Sequence, residues 1–183
     1  MIVFNILFFL LIKLIILLFN ENPNLTPEQR INTKLSKNGI IQAEQFKFNF
    51  DLLILSPLKR SIETYVHSSI KIGDVIINDN FREFMNDSSN FLELDEQKTE
   101  TIQHLDYRVD EAILFLKKLI IEQQLKQIEE EEFKIVNKKY NSIGIISHFE
   151  FLRNFTKKTI NKEILFGNET VKLLLLISIL IIK

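Results

Sequence analysis

The sequence contains no cysteine and no tryptophan, and only four glycines and three prolines among its 183 residues. Without cysteine there can be no disulfide and no Cys-ligated zinc or iron–sulfur centre. The absence says little about compartment, since a secreted protein need not contain cysteine. An excess of one charge is also missing: 23 Lys and Arg stand against 24 Asp and Glu, for a net charge of −1. Strong non-specific nucleic-acid binding draws on a basic excess, so nucleic acid is not expected as a partner. The three histidines, His67, His104 and His148, show no paired spacing, so no dedicated metal site is expected, and no cofactor. Hydrophobic residues make up 46% of the chain and charged residues 26%. That balance, at this length, describes one globular domain with a real core.

The longest hydrophobic run is Met1 to Phe19, broken only by Asn5 and Lys13. Its length fits a membrane span at the lower end of the usual range. Sixteen Ile, Leu, Val and Phe residues each favour insertion by roughly 0.3–0.6 kcal/mol, against about 3 kcal/mol for one central Lys. A cleaved signal peptide fits less well, because no basic residue precedes the run and no small-residue cleavage site follows it. Residues 1–20 are therefore read as a possible membrane anchor and 21–183 as the domain. Arg30, Lys34 and Lys37 place that domain on the cytoplasmic side. Two other readings stay open: a buried first strand and helix of the domain, which would leave the protein cytoplasmic, or a misassigned start.

Asn22 to Pro27 is turn-rich and marks the boundary. Thr26 reads as a helix cap with Pro27 at the first helical position and Gln29 as a capping-box partner, and Ser36 as a second cap. Asp51 to Ser56 reads as a buried strand. Ser56-Pro57 opens a helix through about Ser69, and Val75-Ile76-Ile77 is a short strand. Phe81 to Glu100 is a polar, irregular excursion. Leu105, Val109, Ile113, Leu116 and Ile120 mark a helix beginning near Thr101, with Glu129 to Glu132 as a solvated face. Ser142 to Ser147 is another buried strand, followed by a helix from Phe149 to Lys158. Leu173 to Ile182 is too short to span a membrane and reads as a last central strand. Strands alternating with helices give an α/β sheet flanked by helices.

Two segments carry chemistry. Ser56-Pro57-Leu58-Lys59-Arg60-Ser61-Ile62-Glu63-Thr64 lies where a buried strand ends and a helix begins, an edge that favours anions. Arg60, in the first helical turn, can present its planar fork to a phosphate there. The plainer reading of Arg60 is a surface salt bridge. Ser147-His148 repeats the arrangement at the end of another strand, and ligands of open α/β sheets bind at carboxyl ends of strands. A histidine there can bind phosphate as the cation or transfer a proton, or it can be a hydrogen-bonded structural residue. Glu83, in Phe81-Arg82-Glu83, can serve as a proton donor or be merely solvated. His67 and His104 read as structural.

These segments together resemble the histidine phosphatase superfamily, which includes the phosphoglycerate mutases. Leu35-Ser36-Lys37-Asn38-Gly39-Ile40-Ile41-Gln42-Ala43 is similar to its Leu-Thr-x-x-Gly-x-x-Gln-Ala element. Ser56 to Thr64 is similar to its Ser-Pro-Leu-x-Arg-x-x-x-Thr segment. Arg82-Glu83 resembles its Arg-Glu pair, and Ser147-His148 with Phe151-Leu152-Arg153 its Ser-His-Gly-x-x-Leu-Arg element. The resemblance implies a three-layer α/β/α sandwich and a phosphate pocket holding Arg60, His148 and Glu83, with Glu83 and His148 as catalytic residues. It implies phosphomonoester partners, whether phosphorylated small molecules or phosphoproteins.

Two departures bear on activity. The family nucleophile is a His within Arg-His-Gly at the end of the first strand, and residues 1 to 34 contain neither His nor Gly. Without it the two-step transfer through a phosphohistidine fails. Phe149 stands where the family has Gly, and a side chain there crowds the backbone approach to phosphate. Three readings follow: an enzyme using another attacking group, a non-catalytic phosphate-binding or interaction domain anchored to a membrane, or an incomplete gene model of an active phosphatase.

Overall fold

Leu52, Leu53, Ile54 and Leu55 are consecutive apolar residues, each at most 1% exposed. A strand sends successive side chains to opposite faces, so four such residues in a row need cover on both sides. The computed structural model describes residues 10–16, 26, 31–85, 90–92, 99–133, 140, 142–160 and 173–177, and it supplies that cover. Strands β1 (Leu10–Ile16), β2 (Asn49–Leu55), β3 (Lys71–Ile77), β4 (Ser142–Ser147) and β5 (Leu173–Ile177) form one sheet, in the order β3-β2-β4-β1-β5. The first four run parallel to one another, and β5 lies antiparallel to β1.

Helices α1 (Lys37–Glu44), α2 (Lys59–His67), α3 (Ile102–Phe133) and α4 (Phe149–Ile160) flank the sheet. On one face Leu52, Ile54, Ile143 and Ile145 pack with Leu105, Val109 and Leu116 of α3 and with Phe151 and Phe155 of α4. On the other, Leu53, Leu55 and Ile146 pack with Ala43 of α1 and with Leu35 and Phe46, which flank that helix, and Tyr65 of α2 lies against them. The architecture is the three-layer α/β/α sandwich. Each of these large side chains contributes about 1.5–3 kcal/mol by leaving water. Packing is tight enough that a Cβ on Gly144 would lie 2.7 Å from the Phe50 ring and 2.8 Å from Leu53 Cδ1.

Residues 10–16 of the apolar run form β1, which pairs with β4 on one side and β5 on the other, in line with the buried first strand that the sequence left open. No described helix is long and apolar enough to cross a membrane. An uninterrupted apolar run suits lipid and the middle of a covered sheet equally well, so its composition could not separate the two. Strand β5 lies at the end of the described sheet rather than in its centre. Strand β3 begins at Lys71, earlier than its apolar tail suggested, because at the sheet edge alternate residues face outward and tolerate polar character. Ser36 caps α1 as expected, accepting from the Gly39 N–H at 3.0 Å. Ser56 does not cap α2, which starts at Lys59; Asn32 Oδ1 accepts from the Lys59 N–H at 2.8 Å instead. The helix expected after Thr26 lies outside the described residues.

Candidate functional site

Strands β2 and β4 are adjacent and parallel, so their carboxyl ends open onto the same edge of the sheet. Residue Ser56 follows β2 directly, and its N–H donates to the Ile146 carbonyl at 3.0 Å. His148 follows β4 and precedes α4. Helix α2 is pinned beside them by the Ser61 hydroxyl, which donates to the Ile146 carbonyl at 3.0 Å. Arg60 is therefore held over the end of β4, and it meets His148 there. Both side chains are buried, at 2% exposure each. The sequence placed Arg60 and His148 at two strand ends, and the structure brings them into contact. The surface salt bridge considered for Arg60 is excluded by that burial.

Arg60 Nε donates to His148 Nδ1 at 3.1 Å, and Arg60 Nη2 donates to Asn90 Oδ1 at 2.6 Å. A guanidinium has only protons to give, so Nδ1 must accept. The neutral ring then carries its proton on Nε2, which lies 2.8 Å from Ser56 Oγ and donates to it. Burial pushes the His148 pKa well below its usual value, and the nearby positive charges of Arg60 and Arg108 push it the same way. Without an anion beside it, the imidazole is thus biased toward its neutral form.

Glu83 reaches the site from the segment after β3. Its carboxylate accepts from the Glu150 N–H at 3.1 Å and the Phe151 N–H at 3.2 Å, in the first turn of α4, and from the Phe84 N–H at 2.8 Å. It thus sits on the helix N-terminus, where a negative charge is favoured. Burial raises its pKa, and the three N–H groups together with the charge of Arg60 only partly offset that rise. A carboxyl of this kind holds a proton more firmly than a solvated one, as a proton donor must. Asn90 ties the two halves together: it accepts from Arg60 and donates to the Phe84 carbonyl at 2.8 Å, one residue beyond Glu83.

Ser56, Asn90, Arg108 and Glu100 belong to this site or its frame, and sequence reading singled out none of them for it. Ser56 looked like a helix cap, and Asn90 and Glu100 fell in the polar excursion. Arg108 did leave a signal. It falls within the apolar stripe of α3, three residues after Leu105 and next to Val109, where a charged side chain must be buried. Phe149 adopts no left-handed conformation, and among described residues only Asn32 does, at φ 47°. Of the other histidines, His104 Nδ1 lies 3.2 Å from Glu100 Oε1, and His67 closes α2. Among the described residues no three metal-ligating side chains cluster.

No protein-family profile matches the chain, and no curated protein does. Solved structures do match. A protein described as an alpha-ribazole-5'-P phosphatase from Escherichia coli is 19% identical, with a TM-score of 0.49, 82% of this chain covered and 79% of that one. A mycobacterial glucosyl-3-phosphoglycerate phosphatase is 13% identical, with a TM-score of 0.47 and coverage of 84% and 79%. A phosphoglycerate mutase from Plasmodium falciparum is 14% identical, with a TM-score of 0.31 and coverage of 70% and 71%.

Proposed function

We propose that this chain is a histidine-phosphatase-type domain that binds phosphomonoesters at Arg60 and His148 and does not turn them over through a phosphohistidine. The observation that carries this reading is the buried Arg60–His148 contact at the carboxyl ends of β2 and β4. Phosphate oxygens match the planar fork of a guanidinium. The His148 Nε2–H is a second donor, able to turn from Ser56 Oγ to a phosphate oxygen without changing protonation. The raised pKa of Glu83 supports reading it as the proton donor of a histidine-phosphatase-type site.

Among the described residues no second histidine is recorded beside His148: His67 ends α2, and His104 lies beside Glu100. Ser56 is within hydrogen-bonding distance of His148, as in a serine–histidine pair, but the proton runs the wrong way. Nε2 donates to Oγ, and Arg60 blocks Nδ1, so His148 has no lone pair with which to activate the hydroxyl. The substrate class is a phosphomonoester, whether a phosphorylated small molecule or a phosphoprotein.

The test has two readouts on the full chain. Titration with inorganic phosphate by calorimetry should give saturable binding that is lost in Arg60→Ala. Hydrolysis of p-nitrophenyl phosphate between pH 5 and 8 should stay at background. Absence of phosphate binding at concentrations on the order of 10 mM, a few kcal/mol of affinity, would overturn the binding assignment. Turnover that disappears in His148→Ala would overturn the non-catalytic one.

A further inference from the structure

Helix α3 carries a charged side chain inside its apolar stripe. Leu105, Val109, Ala112 and Leu116 belong to the core, and Arg108 lies among them with only 6% exposure. Its Nε and Nη2 donate to the two carboxylate oxygens of Glu100, at 2.9 and 2.7 Å. Nη1 donates to the carbonyls of Arg82 at 2.7 Å and Asn80 at 3.1 Å, and Nη2 to the carbonyl of Glu83 at 3.1 Å. Glu100 in turn holds Met85 on both sides: it accepts from the Met85 N–H at 3.1 Å and donates its own N–H to the Met85 carbonyl at 2.7 Å. The guanidinium also lies 5.9 Å from the centre of the Phe151 ring, in the first turn of α4.

A buried ion pair is a poor device for stability alone, because an apolar pair of the same shape often serves as well. Arg108 does something a leucine could not. Asp79–Phe81 is a single 3-10 turn and the backbone from 82 to 85 is irregular; the carbonyls of Phe81, Phe84 and Met85 accept from Ser147, Asn90 and the Glu100 N–H, which leaves those of Asn80, Arg82 and Glu83 to Arg108. A rigid fork with five donors satisfies these three at once. We propose that Arg108, oriented by Glu100, is a positioning residue for Glu83: it fixes the 80–85 backbone so that the Glu83 carboxylate lies on the amides of Glu150 and Phe151. The contact with Phe151 sets the same guanidinium against the helix turn that receives the carboxylate.

The experiment is an NMR pH titration of the Glu83 side-chain carboxyl in the full chain, without phosphate, in wild type, Arg108→Lys and Glu83→Gln, the last to assign the signal. The charged and polar groups facing this carboxyl are Arg60 and the amides of Phe84, Glu150 and Phe151. All of them remain in Arg108→Lys, which also keeps the charge and loses only the fork. The wild-type carboxyl is expected to titrate above the ordinary glutamate value. In Arg108→Lys its midpoint should fall back toward about 4.3, and the Glu150 and Phe151 amide signals should lose their pH dependence. A folded Arg108→Lys protein whose Glu83 titration is unchanged would show that Arg108 is only structural and overturn the proposal. If that variant does not fold, Glu100→Gln decides in the same way, since it leaves Arg108 in place without the carboxylate that aims it. No phosphate is present, so failure here leaves the phosphate-binding reading standing, and the reverse holds as well.

Discussion

Arg60 Nε lies 3.1 Å from His148 Nδ1, and this one contact decides which ring nitrogen carries the proton. The pair joins α2 to the end of β4 across 88 residues of sequence, and both members are buried. Replacing Arg60 by Lys keeps the charge but removes the fork and the Nε donor. A hydrogen bond from a charged group is worth about 1.5–3 kcal/mol. Phosphate affinity in Arg60→Lys should therefore fall by about tenfold or more, as read by calorimetry against wild type.

Ser56→Ala separates the two ways of viewing the Ser56–His148 pair. The substitution leaves the buried His148 Nε2–H without its acceptor, at a cost of about 1–3 kcal/mol. Urea denaturation should show that loss. Any weak hydrolysis of p-nitrophenyl phosphate should persist unchanged in the variant, because Ser56 is not activated; its disappearance would assign Ser56 as a nucleophile.

Acid should destabilise the fold through His148. Its folded pKa lies well below the unfolded value, so the unfolded chain gains a proton first as pH falls through about 6.5. The stability it confers is present above that pH and is lost below it, by up to about 1.4 kcal/mol per pH unit. Glu83 has the opposite sign. Its raised folded pKa contributes stability that is present below the unfolded value of about 4.3 and is lost as pH rises through the folded value. Denaturation midpoints of wild type and His148→Gln, compared from pH 7.5 down to 5, should converge, with the variant showing the flatter slope.

The role of residues 10–16 can be tested with a proline. Strand β1 has a neighbour on each side, so its backbone groups face ladders in both directions. Leu14→Pro should cost about 1–3 kcal/mol for each ladder group left unpaired. If these residues were only a tether, the thermal midpoint of the domain would not move.

Gly144→Ala tests the packing between β4 and β2. The added methyl would come within 2.8 Å of Phe50 and Leu53, both buried, so a side chain or the backbone has to shift. Overpacking of this kind costs about 1–3 kcal/mol, which a denaturation curve resolves. Gly39→Ala should cost less, because the nearest atoms there belong to the flexible end of Leu35.

Much of the site was legible because its signals are local. Apolar runs ending in Ser56 and in Ser147-His148 announced buried strands, and the residues after them announced helices. That placed Arg60 and His148 at strand ends from the sequence alone, since strand and helix periodicity need only a few neighbouring residues. The apolar pattern likewise fixed β2, β4 and the start of α3. Tertiary structure decided what local pattern leaves undetermined. It put Leu10–Ile16 between two strands, a place that a hydrophobic run cannot distinguish from lipid, and it put β5 at the end of the described sheet. It joined Arg60 to His148 through Nδ1 and thereby chose the tautomer. It brought Glu83 onto the amides of Glu150 and Phe151, 67 and 68 residues away. It also gave Arg108 its partners, the carbonyls of a segment 25 to 28 residues upstream. The physical reason is the same throughout: burial and periodicity are written along the chain, but a hydrogen-bond partner is settled only where distant segments meet.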